Sequence, residues 1–123
     1  MNGTLVFLGG GIGAFARYWL QGLIYRLFGT TFPYGTVSVN VIGCFLIGVL
    51  LFGLEDRFLL SPSLRLFLTI GVLGGFTTFS SFSFETIALA RDGELLVAGL
   101  NIIANVALCL TATYVGIILE KSL

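Results

Sequence analysis

The chain has 123 residues, 57% hydrophobic and 10% charged, where a soluble domain carries about 25% charged residues. Six acidic and six basic side chains cannot coat a globule of this size, and a formal net charge of zero removes the electrostatic case for nucleic acid. The mean hydropathy is +1.07 and there is no histidine, so a soluble enzyme, imidazole catalysis and histidine metal sites are all excluded.

A membrane-spanning helix takes about 20 mostly apolar residues, and the gaps between charges supply them. Met1 to Tyr25 holds one charge, Arg17, while Leu27 to Leu54, Leu66 to Phe84 and Leu95 to Leu119 hold none. The sequence predicts one domain, 1–123, made of four transmembrane helices at about 4–27, 35–54, 64–84 and 95–119. Short polar clusters separate them: Arg26; Glu55, Asp56, Arg57 and Arg65; Glu85, Arg91, Asp92 and Glu94; Glu120 and Lys121. Phe32-Pro33-Tyr34-Gly35 marks the entry to the second helix. Ser61-Pro62-Ser63 marks the start of the third, where proline suits the first turn. The first span lacks a basic leader and runs on past Arg17, which is unlike a cleaved signal peptide.

Helix 1 carries Gly9 and Gly13, a small-xxx-small pair that permits close helix approach; Gly71 and Gly75 repeat it in helix 3. Gly9-Gly10-Gly11-Ile12-Gly13-Ala14 also fits the dinucleotide pattern G-x-G-x-x-A. That fingerprint needs a strand before it and an acid about 20 residues on, whereas the first acid is Glu55, beyond another apolar span. Arg17 lies about 20 Å along the helix from Thr4. An arginine at bilayer depth costs about 2.5–3.5 kcal/mol, so it either snorkels to the headgroups or faces a wet vestibule that attracts anions.

Helix 2 places Thr36 and Asn40 one turn apart on one face, and helix 4 places Asn101, Asn105, Cys109 and Thr113 at the same i, i+4 spacing. Amides in hydrocarbon need partners. They are either hydrogen-bonded between helices or line a polar track. Cys44 and Cys109 sit in apolar runs and read as small buried residues.

Helix 3 is the most telling segment: Gly71-Val72-Leu73-Gly74-Gly75-Phe76-Thr77-Thr78-Phe79-Ser80-Ser81-Phe82-Ser83-Phe84-Glu85. Glycine, threonine and serine are weak helix formers, and their cluster predicts a break near Gly74 to Thr78. A break frees backbone carbonyls, tolerated at membrane depth only where something satisfies them. A hard cation does so with oxygen ligands, and the next half-helix points its positive N-terminus at the same region. Phe79 and Phe82 share a face, and their ring edges carry partial positive charge suited to an anion.

Orientation is weakly specified. With four spans, Arg57, Arg65 and Lys121 fall on one side and Arg26 and Arg91 on the other. Either this small excess fixes one orientation, or the chain inserts both ways and pairs antiparallel. The second arrangement gives the symmetry that larger transporters take from inverted repeats.

Gly74-Gly75-Phe76-Thr77-Thr78-Phe79-Ser80-Ser81-Phe82 resembles the third-helix signature of the Fluc (CrcB) fluoride channel family. Gly10-Gly11-Ile12-Gly13-Ala14-Phe15-Ala16-Arg17-Tyr18 resembles that family's first helix, and Pro33-Tyr34-Gly35-Thr36-Val37-Ser38-Val39-Asn40-Val41-Ile42-Gly43 its second. The resemblance implies an all-α membrane protein in a prokaryotic cell (inner) membrane, forming an antiparallel dual-topology homodimer that exports fluoride passively. It implies a structural Na+ at the dimer axis, held by the main-chain carbonyls of Gly74 and Thr77. It maps Asn40, Phe79 and Phe82 to the fluoride pathway, and Arg17 and Glu85 to the vestibule; the polar stripes add Thr36, Asn105 and Thr113 to the expected pathway, and the helix-3 hydroxyls add Ser80 and Ser81. Where the family tends to carry a hydroxyl on helix 4 this chain has Cys109, a weaker donor.

Two other readings compete. A small dual-topology multidrug exporter resembles a protein with an acid in helix 1, which this chain lacks. A non-conducting membrane assembly subunit would leave the helix-3 break without a purpose. No nucleophile–base pair supports an enzyme.

Overall fold

The computed structural model describes residues 1–54 and 61–122. Glu55, Asp56 and Arg57 of the expected central loop lie outside the described residues.

Helix α1 is Asn2–Phe28. Arg26 in its last turn complements the negative end of the helix dipole. Gly29 ends it at φ 86, a left-handed conformation that glycine adopts without steric cost, and donates its N–H to Tyr25 O at 2.9 Å. Helix α2 is Tyr34–Gly48, entered through Pro33 and prolonged by a π-helical stretch, Val49–Leu54.

Helix α3 comprises Pro62–Leu66, a π-helical stretch Phe67–Leu73, and Gly74–Phe76. Its start is set by Ser61, whose Oγ accepts from Leu64 N at 3.2 Å, with Pro62 in the first turn. Thr77 (φ −89, ψ 158) and Thr78 (φ −149, ψ 111) are extended. Helix α4 follows as Phe79–Arg91, capped by Thr78 Oγ1, which accepts from Ser81 N at 3.1 Å. Helix α5 comprises Leu95–Ile103, a π-helical stretch Ala104–Leu108, and Cys109–Lys121. Gly93, at φ 82, makes the left-handed turn into it.

Among the described residues, three stretches are long and apolar enough to cross a membrane: Tyr34–Leu51, Pro62–Arg91 and Leu95–Lys121. Helix α1 has 27 residues, ample length at 1.5 Å per residue, but Arg17, Gln21 and its glycines dilute its apolar character.

The boundaries differ from the charge-gap reading in one informative place. The helix expected to stop at residue 84 runs on to Arg91. Glu85 is tolerated inside it because its carboxylate accepts a hydrogen bond from Thr36 of α2.

Packing depends on glycine. A Cβ on Gly9 would lie 2.7 Å from Phe67 O, and one on Gly75 would lie 2.5 Å from Gly10 O. A Cβ on Gly13 would overlap Val72 O. The pairs Gly9/Gly13 and Gly71/Gly75 therefore bring α1 and α3 to backbone contact. Gly48 and Gly116 do the same for α2 and α5, against the backbone of Thr113 and of Phe45 respectively.

The interior inverts that of a soluble protein. Among the described residues the buried apolar side chains are Val39, Leu73, Phe76 and Ala98, whereas Thr36, Asn40, Thr78, Thr86, Asn101, Asn105 and Glu120 are buried polar groups. Phe7, Phe15, Trp19, Ile70, Phe84 and Leu96 face outward. Polar groups inside and large apolar groups outside is the distribution that hydrocarbon solvent selects.

Candidate functional site

The site is built around Thr77 and Thr78, and its first element is the side chain of Asn40. Asn40 stands one turn after Thr36 on α2, and its amide grips the Thr78 peptide at both ends. Oδ1 accepts from Thr78 N at 2.8 Å, and Nδ2 donates to Thr78 O at 3.1 Å. The same Nδ2 donates to Asn105 Oδ1 at 3.0 Å. Asn40 is 8% exposed, so these bonds meet the hydrogen-bonding demand of a buried amide.

The scheme continues into α5 and α4. Asn105 Nδ2 donates to Asn101 O and Oδ1, both at 3.0 Å. Asn101 Nδ2 donates to Thr86 Oγ1 at 2.8 Å, and that hydroxyl donates to Phe82 O at 2.7 Å. On α5, the expected stripe of Asn101, Asn105, Cys109 and Thr113 divides. The two asparagines join this network, while Thr113 Oγ1 donates to Cys44 O at 3.0 Å. Every buried side-chain nitrogen and oxygen among the described residues has a partner.

Two main-chain carbonyls lose their usual helical donors here. In a continuous helix Thr78 N would serve Gly74 O, but it serves Asn40. Ser81 N would serve Thr77 O, but it serves Thr78 Oγ1. Gly75 O takes a third route, accepting from Arg17 Nε at 3.0 Å. Arg17, half-buried on α1, thus sits at the carbonyl end of α3, where a cation complements the helix dipole. Gly74 is exposed on the protein surface and Thr77 is half-buried. Neutral oxygens freed in this way fit a hard cation. Among the described residues no three His, Cys, Asp or Glu side chains cluster as an alternative.

Beside the extended residues lies a cleft of about 440 Å³. Asn40, Asn105, Gly74, Thr77, Phe79 and Phe82 line it; Thr36, Ser80, Ser81, Thr113, Arg17 and Glu85 do not. The Phe79 and Phe82 rings are 5.2 Å apart between centroids and tilted by 55°, so edges as well as faces are presented. Phe79 is 77% exposed. Ser80 and Ser81 lie beside Thr78 at the start of α4, with their hydroxyls 3.3 and 3.1 Å from Thr78 Oγ1.

Glu85 and Thr36 belong to a separate cluster. Gln21 Nε2 donates to Thr36 Oγ1 at 3.3 Å, and Thr36 Oγ1 donates to Glu85 Oε1 at 2.6 Å. Glu85 lines a second cavity of about 270 Å³ with Tyr25, Thr30, Thr31 and Asp92.

Thr86 and Gln21 are parts of these networks that the sequence reading did not single out; it placed Thr78 in the expected break without its capping role, and read Cys44 only as a small buried residue. Thr78 had a signal, because a threonine three residues before Ser81 at a helix start is an N-cap pattern. Thr36, which accepts from Gln21, and Asn101, which donates to Thr86, come from other helices and leave no local trace.

A sequence profile of the CrcB-like protein, Camphor Resistance (CrcB) family matches residues 4–117. The chain belongs to the CrcB family. Relatives within it are close over nearly the whole length. A protein of Geotalea uraniireducens (strain Rf4), named fluoride-specific ion channel FluC, is 52% identical over 115 residues, covering 93% of this chain and 92% of its own. One from Geobacter sulfurreducens, named likewise, is 54% identical over 114 residues with the same coverage. One from Trichlorobacter lovleyi is 49% identical over 121 residues, covering 98% of this chain and 94% of its own. Membership of the CrcB family and the apolar helices make the chain a multi-pass prokaryotic membrane protein.

Proposed function

We propose that this chain is a fluoride-selective channel that lets fluoride leave the cell down its electrochemical gradient. The observation that carries the reading is identity of about half the residues, over nearly the full length of both chains, to proteins named fluoride-specific ion channels. The geometry is compatible with that chemistry. A small, strongly hydrated anion needs fixed donors and a narrow path, yet walls weak enough to release it. Phe79 and Phe82 offer ring edges and the neighbouring polar groups are uncharged amides and hydroxyls. Asn40, Asn105, Ser80, Ser81, Thr113 and Thr36 are the further residues we assign to the path, with Arg17 and Glu85 toward its ends.

In this reading the protein is one domain of four spans, with α1 as the first and α3 and α4 as halves of an interrupted third. It works as an antiparallel dual-topology homodimer in the inner membrane. Gly74 is exposed at a point where hydrocarbon cannot satisfy a carbonyl, which supports a second copy against this face. The carbonyls of Gly74 and Thr77 from each copy would hold Na+. A hard cation takes several oxygen ligands, and one chain's pair of carbonyls is too few to enclose it, whereas two copies supply twice as many. When bound, the ion would neutralise the facing carbonyl dipoles and pin the two interruptions together.

Reconstitution in liposomes tests the function. Fluoride efflux far above chloride efflux is expected, and equal rates for the two anions would overturn it. A tag on the C-terminus should be labelled from both sides of the membrane, and labelling from one side alone would remove the antiparallel dimer.

A further inference from the structure

The cleft beside the interruption contains two thiols that neither the hydrogen bonds described above nor the proposed fluoride path uses. Cys44 on α2 and Cys109 on α5 are both free and half-buried, and both line the 440 Å³ cleft. Packing explains why they meet. Gly48 and Gly116 let the α2 and α5 backbones touch, and the bond from Thr113 Oγ1 to Cys44 O fixes the register between them. Cys109 stands one turn before Thr113 on the same face, so it is brought to Cys44. Asn40 bonds Asn105 one turn before the pair and Gly48 meets the Thr113 backbone one turn after it, so the register of α2 on α5 sets Cys44 opposite Cys109. Ile47, Val106 and Leu110 are apolar neighbours in the cleft, and the amides of Asn40 and Asn105 that share it are already paired within the network.

We propose that Cys44 and Cys109 form a two-sulfur site for a thiophilic metal or metalloid centre, with trivalent arsenic as the representative ligand. Soft sulfur ligands select such centres over hard cations, so the site is chemically separate from the carbonyls of Gly74 and Thr77. Capture of an organoarsenic(III) oxide balances without an oxidant or reductant. Each thiol gives up its proton, two S–As bonds form, the As–O bond breaks, and the oxygen leaves with both protons as water. Arsenic stays trivalent. The site rests on the two thiols alone. Its consequence rests on the fluoride reading: an occupied site would fill the cleft next to Phe79 and Phe82 and stop flux.

The test uses phenylarsine oxide on the purified protein in detergent, read by intact mass. The parent should gain one phenylarsenic group per chain and lose maleimide labelling at both cysteines. A dithiol such as 2,3-dimercaptopropanol should reverse the adduct, and a monothiol at matched thiol concentration should not. Cys44→Ser and Cys109→Ser, checked for unchanged gel-filtration elution, should each lose the adduct. An unlabelled parent, an adduct stripped equally by the monothiol, or a serine variant labelled like the parent would each overturn the site. Because the readout is mass, these results stand whether or not the protein conducts fluoride. Flux block by the arsenical is scored separately, on the parent in liposomes.

Discussion

Replacing Asn40 by alanine removes the side chain that holds the Thr78 peptide away from helical pairing. Three hydrogen bonds go: to Thr78 N at 2.8 Å, to Thr78 O at 3.1 Å and to Asn105 at 3.0 Å. At about 0.6 kcal/mol for an average interhelical bond in a membrane, or about 1 kcal/mol in general, the loss is roughly 2–3 kcal/mol. That corresponds to a shift of roughly 30- to 150-fold in the folding equilibrium. Thr78 N is buried, and leaving it unpaired would add about 1–3 kcal/mol, unless it turns back to Gly74 O. In that case the extended residues become helical and the carbonyl is no longer free for a cation. Unfolding by SDS titration in mixed micelles, followed by the fluorescence of the single tryptophan, Trp19, measures the first effect. Fluoride efflux measures the second. Asn40→Asp keeps the acceptor for Thr78 N but turns a carboxylate oxygen on Thr78 O and Asn105 Oδ1, both acceptors, so its buried negative charge should destabilise the fold and stop fluoride. A stability loss below about 0.5 kcal/mol for Asn40→Ala, less than one such bond, would refute the reasoning.

The same titration checks the helix contacts. Gly13→Ala places a methyl into Val72 O and 2.9 Å from Phe76 N and should cost about 1–3 kcal/mol by overpacking, whereas Gly10→Ala meets nothing within 4 Å and should be neutral or stabilising by up to about 1 kcal/mol. Arg17→Lys keeps the charge but gives up the Nε bond to Gly75 O. It should destabilise by about 1 kcal/mol or more, while a role limited to attracting anions predicts parent stability. Phe79→Ile and Phe82→Ile retain bulk and lose the aromatic edge, so each should cut fluoride efflux at least tenfold with the dimer intact. Thr111→Ala, at an exposed position off the helix-4 stripe, should leave efflux unchanged.

Much of the architecture is legible because the bilayer imposes a simple rule: charges stay out of spans. The gaps between Arg26, Arg65 and Glu94 therefore mark most boundaries, and Ser61-Pro62 marks a start for local capping reasons. The rule fails at Glu85, whose partner Thr36 is on another helix. The stripe of Asn101 and Asn105 is legible from helical spacing, but its destination is not. The choice between a polar track and interhelical bonding depends on where Asn40 and Thr86 arrive in space.

Around the expected break, glycine content draws attention to Gly74 and Gly75, yet both are helical, and the extended residues are Thr77 and Thr78. Glycine weakens a helix without deciding where it ends. The deciding groups are Asn40, which captures Thr78 N, and Arg17, which takes Gly75 O. Neither contact is local in sequence. The π-helical stretches at Val49–Leu54, Phe67–Leu73 and Ala104–Leu108 leave no signal that composition or periodicity reads.

Passive, selective movement of fluoride is the central claim, and a reversal potential tests it most directly. Many copies in a planar bilayer, with a tenfold fluoride gradient and equal pH and chloride on both sides, give the needed current. The account predicts reversal at the fluoride equilibrium potential, about 59 mV from zero for a monovalent ion, unmoved by an imposed pH gradient. Reversal near zero, or a potential that follows the proton gradient, would contradict it.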